Sequence, residues 1–131
     1  MPTTSDQALY TVLSAHSGLA ALISDRIFSV EAPQGTPLPM LVFQPTGGQS
    51  AATHGEGSSD SRLDGVNYQV TAIALTPEIT AEILYQARLA IEASTSLRGI
   101  QISPERALPR SDMANAHGRM ADFLVWNRPD A

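Results

Sequence analysis

"GVNYQVTAIALTPEITAEILYQARLAIEAS", residues Gly65–Ser94, changes its hydrophobic period once, and that change decides the fold class. Val66, Tyr68, Val70, Ala72 and Ala74 alternate with Asn67, Gln69 and Thr71, the period of two that a strand shows when one face is buried. From Ile73 both faces turn apolar. Beyond Thr76, residues Ile79, Ile83, Leu84, Ala87 and Ile91 recur at helical spacing, with Glu78, Glu82 and Gln86 opposite them. Thr76 is placed to cap the helix, and Pro77 stands at its first position, where a missing N–H costs little. Glu78 complements the dipole. A half-buried strand therefore feeds an amphipathic helix directly.

Working outward toward the N-terminus, "MLVFQPT" (Met40–Thr46) reads as a second strand, with Pro45 marking an edge or a bulge. Before it, "EAPQGTPLP" carries Pro33, Pro37 and Pro39, and reads as an extended connector because each proline removes a donor and fixes φ. "RIFSV" is short and β-prone. At the start, Leu9, Val12, Leu13, His16 and Ala20 follow helical spacing, and Thr4 with Gln7 has the capping-box pattern. Gly18 is expected to break this helix, with "LAALI" adding a further turn. Toward the C-terminus, "GIQISPERAL" and "RMADFLVWN" read as a strand pair around a polar turn region, with Ala121, Phe123 and Val125 alternating with Asp122, Leu124 and Trp126.

The order is helix, strands, helix, strands, with no repeated βα unit. It predicts a single α+β domain over residues 1–131: a mainly antiparallel four-stranded sheet with two main helices on one face. At 131 residues such a domain buries roughly 65 to 70 per cent of its unfolded surface and needs no covalent staple. There is no cysteine, so disulfides, thiolate metal sites and thiol nucleophiles are excluded. The opening residues lack the pattern of a signal peptide, and no apolar run approaches the roughly 18 residues needed to cross a bilayer, so a non-exported protein without a membrane partner is expected. The net charge is −5 and every basic residue is an arginine, scattered along the chain. Nothing forms the basic footprint of a nucleic-acid-gripping domain.

One segment does not fit a compact domain. Between the two central strands, Gly47–Asp64 reads as a long polar stretch, whereas ordinary connections run about 4 to 6 residues. Its glycines, serines and short charged side chains cannot bury enough apolar surface to order it alone. Two readings stand nearly even: an insertion without a role, or an arm that orders against another copy or projects into a pore.

The sequence gives no catalytic constellation. His16 sits on the helix stripe, where a hydrogen-bonded core or interface histidine is the ordinary outcome. His54 and His117 lie in glycine-containing polar stretches, and no pair has the i, i+4 spacing of a helical zinc site. "GEGSSD" lacks the third glycine and the helix of a phosphate loop, and no GxSxG elbow presents Ser58 or Ser59. Asp60 and Asp64 read as solvated charges rather than a tuned acid pair. No metal or cofactor is expected, and nothing argues for an enzyme.

"ALYTVLSAHSGLAALISDRIF", the connector "PQGTPLPMLVF" and "YQVTAIALTPEITAEILYQARLAIEA" together resemble the tail-completion or tail-terminator family of long-tailed phages and gene transfer agents. The likeness runs from about Ala8 to Ala93, with the polar stretch at the corresponding place; Met40 stands where that family has an aromatic residue. The resemblance implies a virion structural protein, assembled in the host cytoplasm, whose six copies form a ring that caps the tail tube and stops its growth. That ring would offer a docking surface to the head, with the tube protein and a head-completion or stopper protein as partners. DNA would pass its channel without specific binding, which suits an acidic subunit. Within this resemblance Gly47–Asp64 is an assembly loop carrying His54, Glu56, Asp60, Arg62 and Asp64, and Arg26, Arg88 and Arg98 are candidates for inter-subunit carboxylate pairs. Two alternatives are a small ligand-binding domain or dimeric enzyme with a pocket involving His16 and Tyr68, and another connector component such as a stopper.

Overall fold

The computed structural model describes residues 5–33, 35–52, 62–94, 97, 99–107 and 116–127. In chain order they form α1 (Ser5–Ala15), α2 (Ser17–Ile23), β1 (Ile27–Ser29), β2 (Met40–Ala52), β3 (Arg62–Ala74), α3 (Pro77–Ala93), β4 (Ile100–Gln101), β5 (Arg106–Ala107) and β6 (His117–Asn127). The expected α+β class is found, with more strands than four because the sheet's margins are built from short pieces.

The sheet runs β1-β2-β3-β6-β4, with β5 also on β6. β2, β3 and β6 form the antiparallel centre, and β1 joins β2 in parallel. From Tyr68 the alternation in β3 holds: Tyr68, Val70, Ala72 and Ala74 are buried on the helix-covered face, as are Ala121, Phe123 and Val125 of β6. Leu41 and Phe43 extend that face across β2, and Ile83, Leu84, Ala87 and Ile91 close it from α3. Phe43 meets Tyr68 edge-on, with ring centroids 5.9 Å apart. Thr76 caps α3 by accepting a hydrogen bond from the Ile79 amide at 3.3 Å.

Three local expectations are revised. The first helix breaks at His16, whose backbone is extended (φ −81°, ψ 114°), and Gly18 lies inside α2. Gly18 serves packing instead, since a Cβ there would stand 2.3 Å from Gln86 Oε1. Thr4 of the expected capping box lies outside the described residues. The predicted strand "GIQISPERAL" is split, because Ser103 interrupts its pairing with β6. The Ile102 amide bonds the Asp122 carbonyl at 2.8 Å, whereas the Asp122 amide donates to the Ser103 hydroxyl at 3.0 Å, and Pro104 has no amide to offer. The third revision concerns the polar stretch. Gly47–Ala52 and Arg62–Asp64 belong to the β2–β3 ladder, which runs in register to Ala52↔Arg62 after a shift between Pro45 and Gly47. Small polar residues still make every backbone bond of a ladder, so the low apolar content hid the strand.

Candidate assembly surfaces

The β2–β3 ladder outruns its neighbours. β1 covers β2 only at Leu41–Phe43, and β6 covers β3 only as far as Asp64. From Gln44 onward β2 has no strand on its β1 side among the described residues, and beyond Ser50↔Asp64 the pairs Ala51↔Leu63 and Ala52↔Arg62 continue past β6 as the start of a two-stranded arm. Of the residues assigned to it from the sequence, Arg62 and Asp64 lie on β3. His54, Glu56 and Asp60 lie outside the described residues, as does Arg98.

The other two candidate arginines have different surroundings. Arg26 is half-buried and donates from Nε to the Pro39 carbonyl at 2.7 Å, while its own carbonyl accepts from the Leu41 amide at 3.0 Å. It therefore fastens the end of the connector beside the start of β2. Arg88 stands on the outer face of α3 and meets Glu92 one turn on, Nε to carboxylate 3.2 Å. An exposed pair of this kind contributes little to stability.

The two residues proposed for a ligand pocket are spent on the fold. Tyr68 is fully buried and its hydroxyl donates to the Asp6 carboxylate. His16 Nε2 lies 2.9 Å from Gln86 Oε1, whose amide nitrogen donates to Glu82 at 2.8 Å. Neither lines the groove of about 560 Å³ between α1 and β1, which is bounded by Asp6, Gln7, Tyr10, Thr11, Ser29 and Phe43. Among the described residues no three His, Asp or Glu side chains gather as metal ligands.

Two surfaces escaped the sequence reading. The sheet face turned away from the helices carries Ile100 and Ile102, about half exposed, on the line that pairs with β6. On the same face Trp126 lies against Gly65, where a Cβ would come within 2.9 Å of its ring. Across that face, at the β1 side, a depression of about 400 Å³ is floored by Met40, Val42 and Ile73. The second surface is the outer side of α3, where Tyr85 (52% exposed) and Leu89 (40%) stand beside Arg88. Their spacing of four residues, off the Ile83–Leu84–Ala87–Ile91 stripe, was the signal available in the sequence.

A helix-backed sheet with an open strand edge and exposed apolar residues grouped on two faces has the surface features of proteins that meet other proteins. The chain matches the family described as tail completion protein gp17 over residues 7–126, and it belongs to that family. It is accordingly a structural component of a phage-type virion tail, not an enzyme. Among solved structures, a chain of the "Virion of native gene transfer agent (GTA) particle" shares the fold with a TM-score of 0.57 at 15% identity, covering 90% of each chain. No curated protein matches.

Proposed function

We propose that this protein is a tail terminator: six copies close into a ring on the end of the tail tube, stop its growth and present the surface on which the filled head docks. The whole chain, residues 1–131, acts as one such domain. Its partners are its own copies, the major tail tube protein and a head-completion or stopper protein, while DNA passes the central channel without being gripped. The observation that carries this reading is the β2–β3 arm. Among the described residues its β2 edge is open from Gln44, past the end of β1, and its backbone ladder continues two pairs beyond β6, to Ala52↔Arg62.

An unpaired strand edge is a hazard that proteins ordinarily blunt with charge, proline or a bulge, or cover. Pro45 and the register shift beside it blunt the start of this edge, whereas Gly48–Ala52 beyond them carries neither charge nor proline, which suits an edge that is covered on assembly. The segment 47–64, with His54, Glu56, Asp60, Arg62 and Asp64, serves as the assembly arm, its charges directed to the channel or to a partner's arginines.

Light scattering over a wide concentration range tests the ring. Six copies of the 13.9 kDa chain give about 83 kDa, and that species is the expected result, in solution or on addition of tube. A stable dimer joined across the sheet would overturn the reading.

A further inference from the structure

The two apolar surfaces lie on opposite sides of the molecule. Tyr85, Arg88 and Leu89 project from the outer side of α3, and α3 covers one face of the sheet. The 400 Å³ depression opens on the other face, with Val30, Met40, Val42 and Ile73 supplying its apolar surface and Gln69 and Glu31 its polar side. Val30 is itself 58% exposed and held at φ 72°, where a β-branched residue is strained. That backbone turn ends β1 and turns the chain into the connector, leaving Val30 beside the depression.

We infer that the Tyr85–Arg88–Leu89 surface of one copy seats in this depression on the next copy, forming the head-to-tail contact of the assembly. The inference rests on the ring reading above and names the faces that would make the ring.

Three features make the surfaces complementary. The first is apolar matching: a phenol ring and an isobutyl side chain meet a floor of methionine, valine and isoleucine. The second is polar. A buried tyrosine hydroxyl needs a hydrogen-bond partner, and the Gln69 amide lies within the depression to supply one. The third is charge. Glu31 is exposed at the margin, and Arg88 spends only Nε on Glu92, so its paired terminal nitrogens suit a second carboxylate.

Symmetry then limits the outcome. A patch on the helix layer that fits a patch on the opposite sheet face gives a heterologous contact, which propagates and closes into a ring when the rotation permits. A two-fold dimer would need one self-complementary patch instead.

The chain contains no cysteine, so introduced thiols report without background. Tyr85→Cys and Val30→Cys variants, each exposed in the subunit, are purified separately, mixed and oxidised. The expected result is at least tenfold more disulfide dimer in the mixture than in either variant alone. The double variant should give a ladder of oligomers. Arg88→Glu in the Tyr85→Cys variant should cut the mixed product about tenfold, and Glu31→Arg in the other partner should restore it. A wild-type species near 83 kDa without excess mixed disulfide would overturn the contact while leaving the ring standing. Homodimers of Tyr85→Cys alone would overturn both. A monomer without excess mixed disulfide would overturn the contact and leave ring formation to be judged on tube ends.

Discussion

Tyr68, fully enclosed between sheet and helices, donates its hydroxyl to the carboxylate of Asp6 in the first turn of α1. One bond thereby ties the N-terminal helix to the central strand across 62 residues of sequence. A bond to a charged acceptor contributes about 1.5–3 kcal/mol, so Tyr68→Phe should lower unfolding stability by that amount in urea melts. Asp6→Asn keeps an acceptor oxygen and should cost less. Equal losses in the two variants would mean that the carboxylate charge, not the hydrogen bond alone, holds α1.

Two glycines allow close approaches, and their replacement should differ in cost. A Cβ at Gly99 would stand 2.3 Å from Ile91 Cγ2, and Ile91 is fully buried. Gly99→Ala should therefore destabilise by about 1–3 kcal/mol through overpacking. At Gly18 the obstruction is the end of a glutamine side chain. Gly18→Ala should cost less, and the loss should shrink further in a Gln86→Ala background, where the obstructing amide is gone. Additive losses would show that α2 does not meet α3 through Gln86.

The strand–helix unit Gly65–Ser94 was legible because its buried apolar residues follow two successive periods: the alternation ends, Thr76 caps, and the 3.6-residue stripe begins. His16 was legible as a bonded side chain from its place on the stripe, although its partner Gln86, seventy residues on, was not. Pattern reading failed where side chains do not report the backbone. Gly47–Ala52 pair as fully as any strand, but glycine, serine and alanine carry no alternation to betray it. The exposed Tyr85 and Leu89 were present in the helical wheel, yet tertiary placement was needed to set them against an opposite sheet face.

Arg26 and Arg88 separate fold from assembly. Arg26→Ala removes the bond to the Pro39 carbonyl and should cost about 1–2 kcal/mol. Arg88→Ala breaks only an exposed i, i+4 pair and should fall within about 0.5 kcal/mol of wild type. Thermal melts of the two variants check this directly. Any loss of assembly in Arg88→Ala then belongs to the contact between copies, whereas a loss in Arg26→Ala passes through the connector.

The arm should be removable without harm to the body. Deleting Ser50–Asp60 leaves the ladder from Met40↔Ile73 to Gln49↔Gly65 intact and joins its ends through Ser61–Asp64. Hairpin connections of four residues are common. The described core residues Phe43, Tyr68, Val70 and Phe123 lie farther down the sheet and are untouched by the deletion. Far-UV dichroism and the urea midpoint should therefore stay close to wild type, within about 0.5 kcal/mol. Supplied to a producing strain that lacks the wild-type protein, the deletion should yield few or no infectious or DNA-filled tailed particles. Normal yields would mean that Gly47–Asp64 does not carry assembly. A deletion that fails to fold would instead place stabilising contacts in the arm itself.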